Sequence, residues 1–339
     1  MITPNLHVYA ERVLMDSFLR IVAQRAADSS SHESIAQLRA SGSDGKMQAF
    51  EILARLSDDA AKPFVEDVIE DLKEDDEAVC FAAVSLLCSL DTSLIQPHAS
   101  RIMREFERVP SSARWRVVEV LGKLDAATLS SHAEGIARLV GHADSDVRRR
   151  AVELLSSMSD VASHITLVLP ILEDEDEDCR LSAVELLGQL SKDELAPHTN
   201  RLLARLDDEE EFVRGSAAAL LGRTLPEVVV THAPKFLVLL DDSSWRVRRV
   251  TMEALLTLPA LSLSPHADAI LARMPHTDAR VREWAVSTFG KLAAVLDPPS
   301  AAALAPRAAA ALDARLQDDD RRVRERAAAL HARMQGGGG

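Results

Sequence analysis

A repeat close to 34 residues long governs what this chain can fold into. The string D-S-D-V-R-R-R-A-V-E-L-L from Asp144 returns as D-E-D-C-R-L-S-A-V-E-L-L from Asp176 and as E-E-F-V-R-G-S-A-A-A-L-L from Glu210, with further copies from Ser244, Asp278 and Asp320 and weaker ones near Gly42, Asp76 and Pro110. Anchoring each copy on the residue before its recurrent arginine gives Gly45, Val79, Ala113, Val147, Cys179, Val213, Val247, Val281 and Val323, spaced 34, 34, 34, 32, 34, 34, 34 and 42. A fixed period of this length is the mark of a stacked array of small supersecondary units, none of which buries its apolar face alone. The long last interval contains L-D-P-P-S around Pro298 and Pro299, which predicts a loop insertion before the final unit.

Within a unit the apolar positions have helical spacing. Val147, Ala151, Val152, Leu155 and Met158 form the stripe of a first helix, and His164, Leu167, Val168, Ile171 and Leu172 begin and fill a second. Four residues after the anchor, Ala49, Ala83, Ala151, Ala183, Ala217, Ala285 and Ala327 keep the side chain small, which lets neighbouring helices approach to about 8–10 Å. Aromatic residues make up only 4% of the chain, too few for large cores built on Phe, Tyr and Trp, so narrow aliphatic layers are the workable alternative.

The pattern D-x-x-V-R-x-x-A-x-x-x-L, carried by Asp144, Val147, Arg148, Ala151 and Leu155 and again by Asp278, Val281, Arg282, Ala285 and Phe289, resembles the HEAT repeat family across residues 43–334. The resemblance implies an all-α, right-handed α-α superhelix, a HEAT-repeat (armadillo-like) solenoid of about nine helical hairpins, with units starting near residues 43, 75, 109, 143, 175, 209, 243, 277 and 319. At about 10 Å per repeat such a stack has one continuous core roughly 90 Å long. The tetratricopeptide and ankyrin signatures are missing. Residues 1–42 read as an N-terminal capping helix, carried by Leu6, Val13, Leu14, Phe18, Ile21 and Val22, followed by a loop through A-D-S-S-S-H-E-S and S-G-S-D-G; residues 335–339 read as a flexible glycine tail.

Two ladders recur with the period. Arg114, Arg148, Arg180, Arg214, Arg248, Arg282 and Arg324 follow their anchors, with Lys46 as a variant, and an acid stands three residues before the anchor in Asp76, Asp144, Asp176, Glu210, Asp278 and Asp320. A carboxylate at a helix N-terminus accepts free N–H groups, and an arginine beside it can bridge to the neighbouring repeat, so this ladder reads as structural. His98, His132, His164, His198, His232 and His266 are spaced 34, 32, 34, 34 and 34. Equivalent positions about 10 Å apart cannot share a metal ion, whose ligands sit at roughly 2.0–2.1 Å, so no metal is expected. Pro97, Pro197 and Pro265 place these imidazoles near the start of the second helix, filling the inter-helix turn.

The second helices line the concave face in solenoids of this kind. Positions three, six and seven beyond the ladder histidines give Arg101, Arg104, Arg138, Arg201, Arg205, Lys235 and Arg273, and in other units Leu167, Pro170 and Val238. They predict an apolar groove flanked by cations, fit for partner segments carrying acidic and hydrophobic residues. Acid runs from Glu74, Glu173, Asp207, Asp241 and Asp318 gather along the inter-repeat edge as a rim for basic segments. Trp115, Trp245 and Trp284, early in first helices at unlike phases, are candidate anchors on the convex side.

Net charge of -14 disfavours nucleic acid and anionic membranes as partners. The C-terminal unit departs from this sign, with seven basic against five acidic residues over 307–334 and Arg321, Arg322, Arg324 and Arg326 giving it a polar capping face. Cys80, Cys88 and Cys179 lie in apolar helical patterns without metal spacing and read as buried free thiols of a reducing compartment. No signal-peptide core and no membrane span is seen, so the location read is intracellular and cytoplasmic, with an organelle left open. Phosphate-loop, nucleophile-elbow and zincin strings are missing, and the one His-Glu pair, His32 and Glu33, lies outside the repeats, against the paired His-Glu sites of deoxyhypusine hydroxylases. The function expected is a non-enzymatic protein-protein interaction scaffold or adaptor without cofactors. The alternative, suggested by a likeness of the V-R-x-x-A units to phycobilin lyases, is a pigment-protein assembly factor.

Overall fold

The computed structural model describes residues 29–106, 109–158 and 160–336. Every regular element among them is helical. The chain divides into two compact units, Met1–Val168 and Leu169–Gly339.

In the first unit, the helices Ser43–Leu53, Glu77–Ser89, Ser111–Leu121 and Ser145–Ser156 open successive repeats and pack side by side. In the second, Glu177–Leu187, Glu211–Thr224, Trp245–Leu256, Ala279–Leu292 and Arg321–Gly336 do the same. The core follows the repeat. Position four after the anchor is 0% exposed in all nine first helices, including Val117 and Thr251, which stand where other repeats have alanine. Thr251 pushes a hydroxyl into this layer, where it finds no hydrogen-bond partner. Burying an unsatisfied hydroxyl is costly, so Thr251→Val, which keeps the side-chain shape, is expected to raise unfolding stability by about 1 kcal/mol, read from the urea midpoint. An unchanged or lower midpoint would show that the hydroxyl has a partner in solution.

Helix starts are set by side chains. Asp76, Asp144, Asp176, Asp278 and Asp320 each accept a first-turn backbone N–H. Glu210, one methylene longer, makes no such bond.

The N-terminal region differs from the sequence expectation. The serine-rich stretch read as loop forms the helix Ser29–Ala40, with Ile35 fully buried against the first repeat. The helix predicted before it lies outside the described residues. The chain then reverses through Gly42, whose φ of 95° suits glycine alone. A Cβ on Gly45 would meet the Leu38 carbonyl oxygen at 2.1 Å, which explains why this one anchor is glycine where most others are valine.

The interval before the last repeat is also not a loop. Asp297 caps a helix, Pro298–Arg315, by accepting the Ser300 N–H at 2.8 Å, with the prolines in its first turn where no N–H is needed. The extra residues lengthen the second helix of the eighth repeat. The described residues of the ninth repeat form one helix, Arg321–Gly336.

Candidate interaction surfaces

From Arg180 to Arg282 the arginine after the anchor turns back to its own repeat and across to the next. Arg180 donates through Nη1 to the carbonyls of Asp174 and Glu175, and through Nε and Nη2 to the two carboxylate oxygens of Asp208 at 3.0 and 2.8 Å. Arg214 repeats the arrangement on Asp242 at 2.8 and 2.9 Å and Arg282 on Asp318 at 2.9 and 2.7 Å, while Arg248 donates through both nitrogens to the single oxygen Oδ2 of Asp278 at 2.9 and 2.7 Å. In the first unit Lys46 reaches Asp71 and Glu74, Arg114 reaches the Val109 carbonyl, and Arg148 the carbonyls of His142 and Ala143. Arg324, in the last helix, holds the carbonyls of Asp318 and Asp319.

The acid that receives the guanidinium is mostly not the cap. It lies five residues before the anchor, at Asp208, Asp242 and Asp318, and a second oxygen role falls to it as well: each also accepts the backbone N–H of the residue two further on. Where that position is histidine, at His142 and His276, Nδ1 accepts this N–H at 3.0 and 2.9 Å instead. Arg248 accordingly goes to the cap residue Asp278. Two N–H donors in a fixed fork meeting one carboxylate give strong, directional pairs, and these lie deep: the Arg180 and Asp208 side chains are 5% and 2% exposed.

The histidine ladder marks a break in the chain and, at His98, His132, His198, His232 and His266, the cap position of the helix that follows. Residues before it form a short turn of their own, as in Lys192–Leu195, then a tight turn Ala196–His198, then Thr199–Ala204. Proline at 97, 197 and 265 supplies no N–H to continue an α-helix, so the chain tightens there and resumes after the histidine. His98, His132, His198, His232 and His266 all sit near φ -102 to -112° with ψ close to zero, and all are half-buried. His164 ends the corresponding turn Ala162–His164. At His132 the ring restores a missing bond, Nδ1 lying 2.9 Å from the Thr128 carbonyl oxygen, while Nε2 lies 2.8 Å from Ser100 Oγ of the previous repeat. Among the described residues no three His, Cys, Asp or Glu side chains are grouped to hold a metal ion. Cys80 donates to the Leu72 carbonyl, and burial pushes its thiol up to about 11.

The expected cationic flank of the second helices is largely paired. Arg101 donates to Glu66 and Glu70, Arg201 to Glu173, Lys235 to Asp207 and Arg273 to Asp241, in each case an acid of the preceding repeat. Arg205 pairs with Asp208, and Arg138 with Glu134 on its own helix. Arg104 is exposed. The predicted acidic rim and cationic edge are thus largely one alternating set of ion pairs, because acids at the end of one second helix fall beside cations of the next. The carboxylates involved are mostly open to water, so each pair contributes about 0–1 kcal/mol and can exchange partners. Of the apolar candidates, Leu167 is 38% exposed, Pro170 is exposed and Val238 is 65% exposed.

The tryptophans separate. Trp284 is buried at 4%, Trp115 is half-buried beside Arg116, and Trp245 is 56% exposed. Phe212, 46% exposed on the preceding repeat, was not singled out by sequence; its signal is that it interrupts a charged row at the residue before the anchor. The Arg246 guanidinium stands 4.8 Å from the Phe212 ring centre and that of Arg280 stands 6.0 Å from the Trp245 ring.

Residues 133–222 match the HEAT repeats family. Among solved structures, the crystal structure of an engineered protein from the Northeast Structural Genomics Consortium is similar at 17% identity and a TM-score of 0.54, with 94% of each chain covered. A chain from the structure of Kap95p with RanGDP is similar at 14% identity and a TM-score of 0.56 over 97% of this chain, which spans about half (49%) of that one. No curated protein matches the chain. At these identities the structural likeness shows the fold, an all-α solenoid of helical repeats. No helix among the described residues is long and apolar enough to cross a membrane.

Proposed function

Because residues 133–222 match the HEAT repeats family and the fold is one of stacked helical repeats, we propose that this chain acts as a non-enzymatic scaffold or adaptor that docks other proteins on its repeat surfaces. The observation carrying this reading is the division of labour among its side chains. Small aliphatic residues and the buried arginine-aspartate ladder hold repeats together, while Val238, Trp245 and Leu261 remain more than half exposed on the outside of the second unit. Large apolar side chains left in water beside charged groups are what a docking partner covers, and a repeat surface offers contact area without further folding.

Affinity capture with the full chain, followed by mass spectrometry, tests this. Expected are protein partners released by salt, and no visible absorbance when the chain is mixed with a linear tetrapyrrole. Absorbance on mixing, with no protein captured, would replace the scaffold reading with the pigment-assembly one. Reversing charge at Arg101, Arg201 and Lys235 then assigns the face: loss of capture puts docking on the second helices, and undiminished capture puts it elsewhere.

A further inference from the structure

In one row of side chains in the second unit, two arginines lie against aromatic rings instead of acids. The residue before the anchor is Asp178, Phe212, Arg246, Arg280 and Arg322 in successive repeats. Its neighbour Trp245 stands at the start of the same helix as Arg246. Both aromatic rings are about half exposed, and each has a guanidinium of the following repeat against it. Nearby cations are matched to acids, Arg249 to Glu253 and Arg322 to Asp320 and Glu283. Among the described residues Arg246 and Arg280 have no carboxylate at ion-pair distance. In the first unit Arg116 also lies against two rings, Phe81 and Trp115, but there all three are half-buried and the guanidinium donates to Ser85.

A guanidinium held near an aromatic ring keeps N–H donors available for a carboxylate, and its side chain is already ordered. The ring next to it offers an apolar plane. A local cationic, aromatic surface on a chain of net charge -14 favours a short acidic segment with apolar residues, while the remaining charge repels long polyanions. Geometry sets the spacing. Equivalent positions on adjacent repeats lie about 10 Å apart, and a chain in the extended polyproline II conformation advances about 3.1 Å per residue with three residues per turn, so carboxylates three residues apart share a face and reach adjacent guanidiniums.

We propose that the surface formed by Phe212, Trp245, Arg246 and Arg280 docks an extended acidic segment of a partner protein, with carboxylates three residues apart on Arg246 and Arg280 and an apolar side chain against Trp245. The proposal rests on the protein-docking reading above and names its site.

The test uses the full chain and a fluorescein-labelled peptide of about 12 residues with Glu at every third position and Pro and Leu between, followed by anisotropy. A peptide of the same composition with its Glu residues contiguous, and a single-stranded oligodeoxynucleotide, serve as competitors. Expected is binding of the spaced peptide that weakens with salt, falls about tenfold or more in Arg246→Gln with Arg280→Gln, and falls in Trp245→Ala, while Lys192→Gln with Arg307→Gln, which removes the same charge elsewhere on the unit, leaves it unchanged. Equal binding of spaced and contiguous peptides, stronger competition by the oligonucleotide, or wild-type binding by the double variant at an unchanged melting temperature each overturns it. Protein partners still captured by that double variant would sink this site alone; capture of no protein by the parent chain would sink the docking reading itself.

Discussion

Replacing Arg282 by alanine is expected to lower stability by about 3–5 kcal/mol, the largest loss available from one surface-to-core polar contact in the second unit. The guanidinium makes two bonds to Asp318, one to Asp319 and two to the carbonyls of His276 and Thr277. Its removal leaves the Asp318 side chain, 2% exposed, with only Arg315 as a cation at 3.2 Å. Burial opposes ionisation of that carboxyl, yet donation from Arg282 and from the Asp320 N–H outweighs it and holds Asp318 down to about 2, against an ordinary 3.8. A depressed folded-state value means that this contribution is complete above pH about 4 and is lost as pH falls through about 2. The acid limb of a stability profile should therefore flatten in Arg282→Ala. Trp284, buried two residues along the same helix, supplies the fluorescence readout in urea. A paired change to Arg282→Met with Asp318→Leu should recover most of the loss, since a well-packed apolar pair replaces a desolvated ionic one. Full stability in Arg282→Ala alone would mean that the ladder does not couple repeats.

What the sequence made legible was whatever repeats locally. Val147, Ala151 and Leu155 declare a first helix by spacing alone, and the period then places every other first helix. The ladder's true acid was legible too, since Asp208, Asp242 and Asp318 stand at one position, but the cap acids two residues later compete for the same reading. The helix Ser29–Ala40 carries no periodic stripe, since Ile35 is the one fully buried side chain among its described ones, and its serines favour loop. The pairing of Arg201 with Glu173 or Arg273 with Asp241 depends on how far one second helix advances past the next, a distance no local pattern contains. Exposure of Trp245 against burial of Trp284 likewise follows from phase, which the shared position early in a helix conceals.

The closest packing between repeats yields the second large effect. Gly222 in the helix Glu211–Thr224 faces Ala254 in Trp245–Leu256, and a Cβ at 222 would lie 2.4 Å from the Ala254 Cβ and 3.0 Å from its Cα. Neither atom can rotate away, so the helices themselves must separate. Glycine inside a helix costs about 1 kcal/mol relative to alanine, so propensity alone favours Gly222→Ala. Here contact should win: Gly222→Ala is expected to destabilise despite its better propensity, and Gly222→Val by about 3 kcal/mol, because separation also loosens the apolar layer around Leu221 and Leu255. Adding Ala254→Gly to Gly222→Ala returns the missing space to the opposite helix and should restore most of the stability, measured by urea unfolding followed by circular dichroism. A Gly222→Ala chain as stable as its parent would show that the two helices can move apart without loss. The repeats would then be held by their arginine-aspartate pairs more than by this contact, and the expected cost of Arg282→Ala would become the stricter test of how one repeat is fastened to the next.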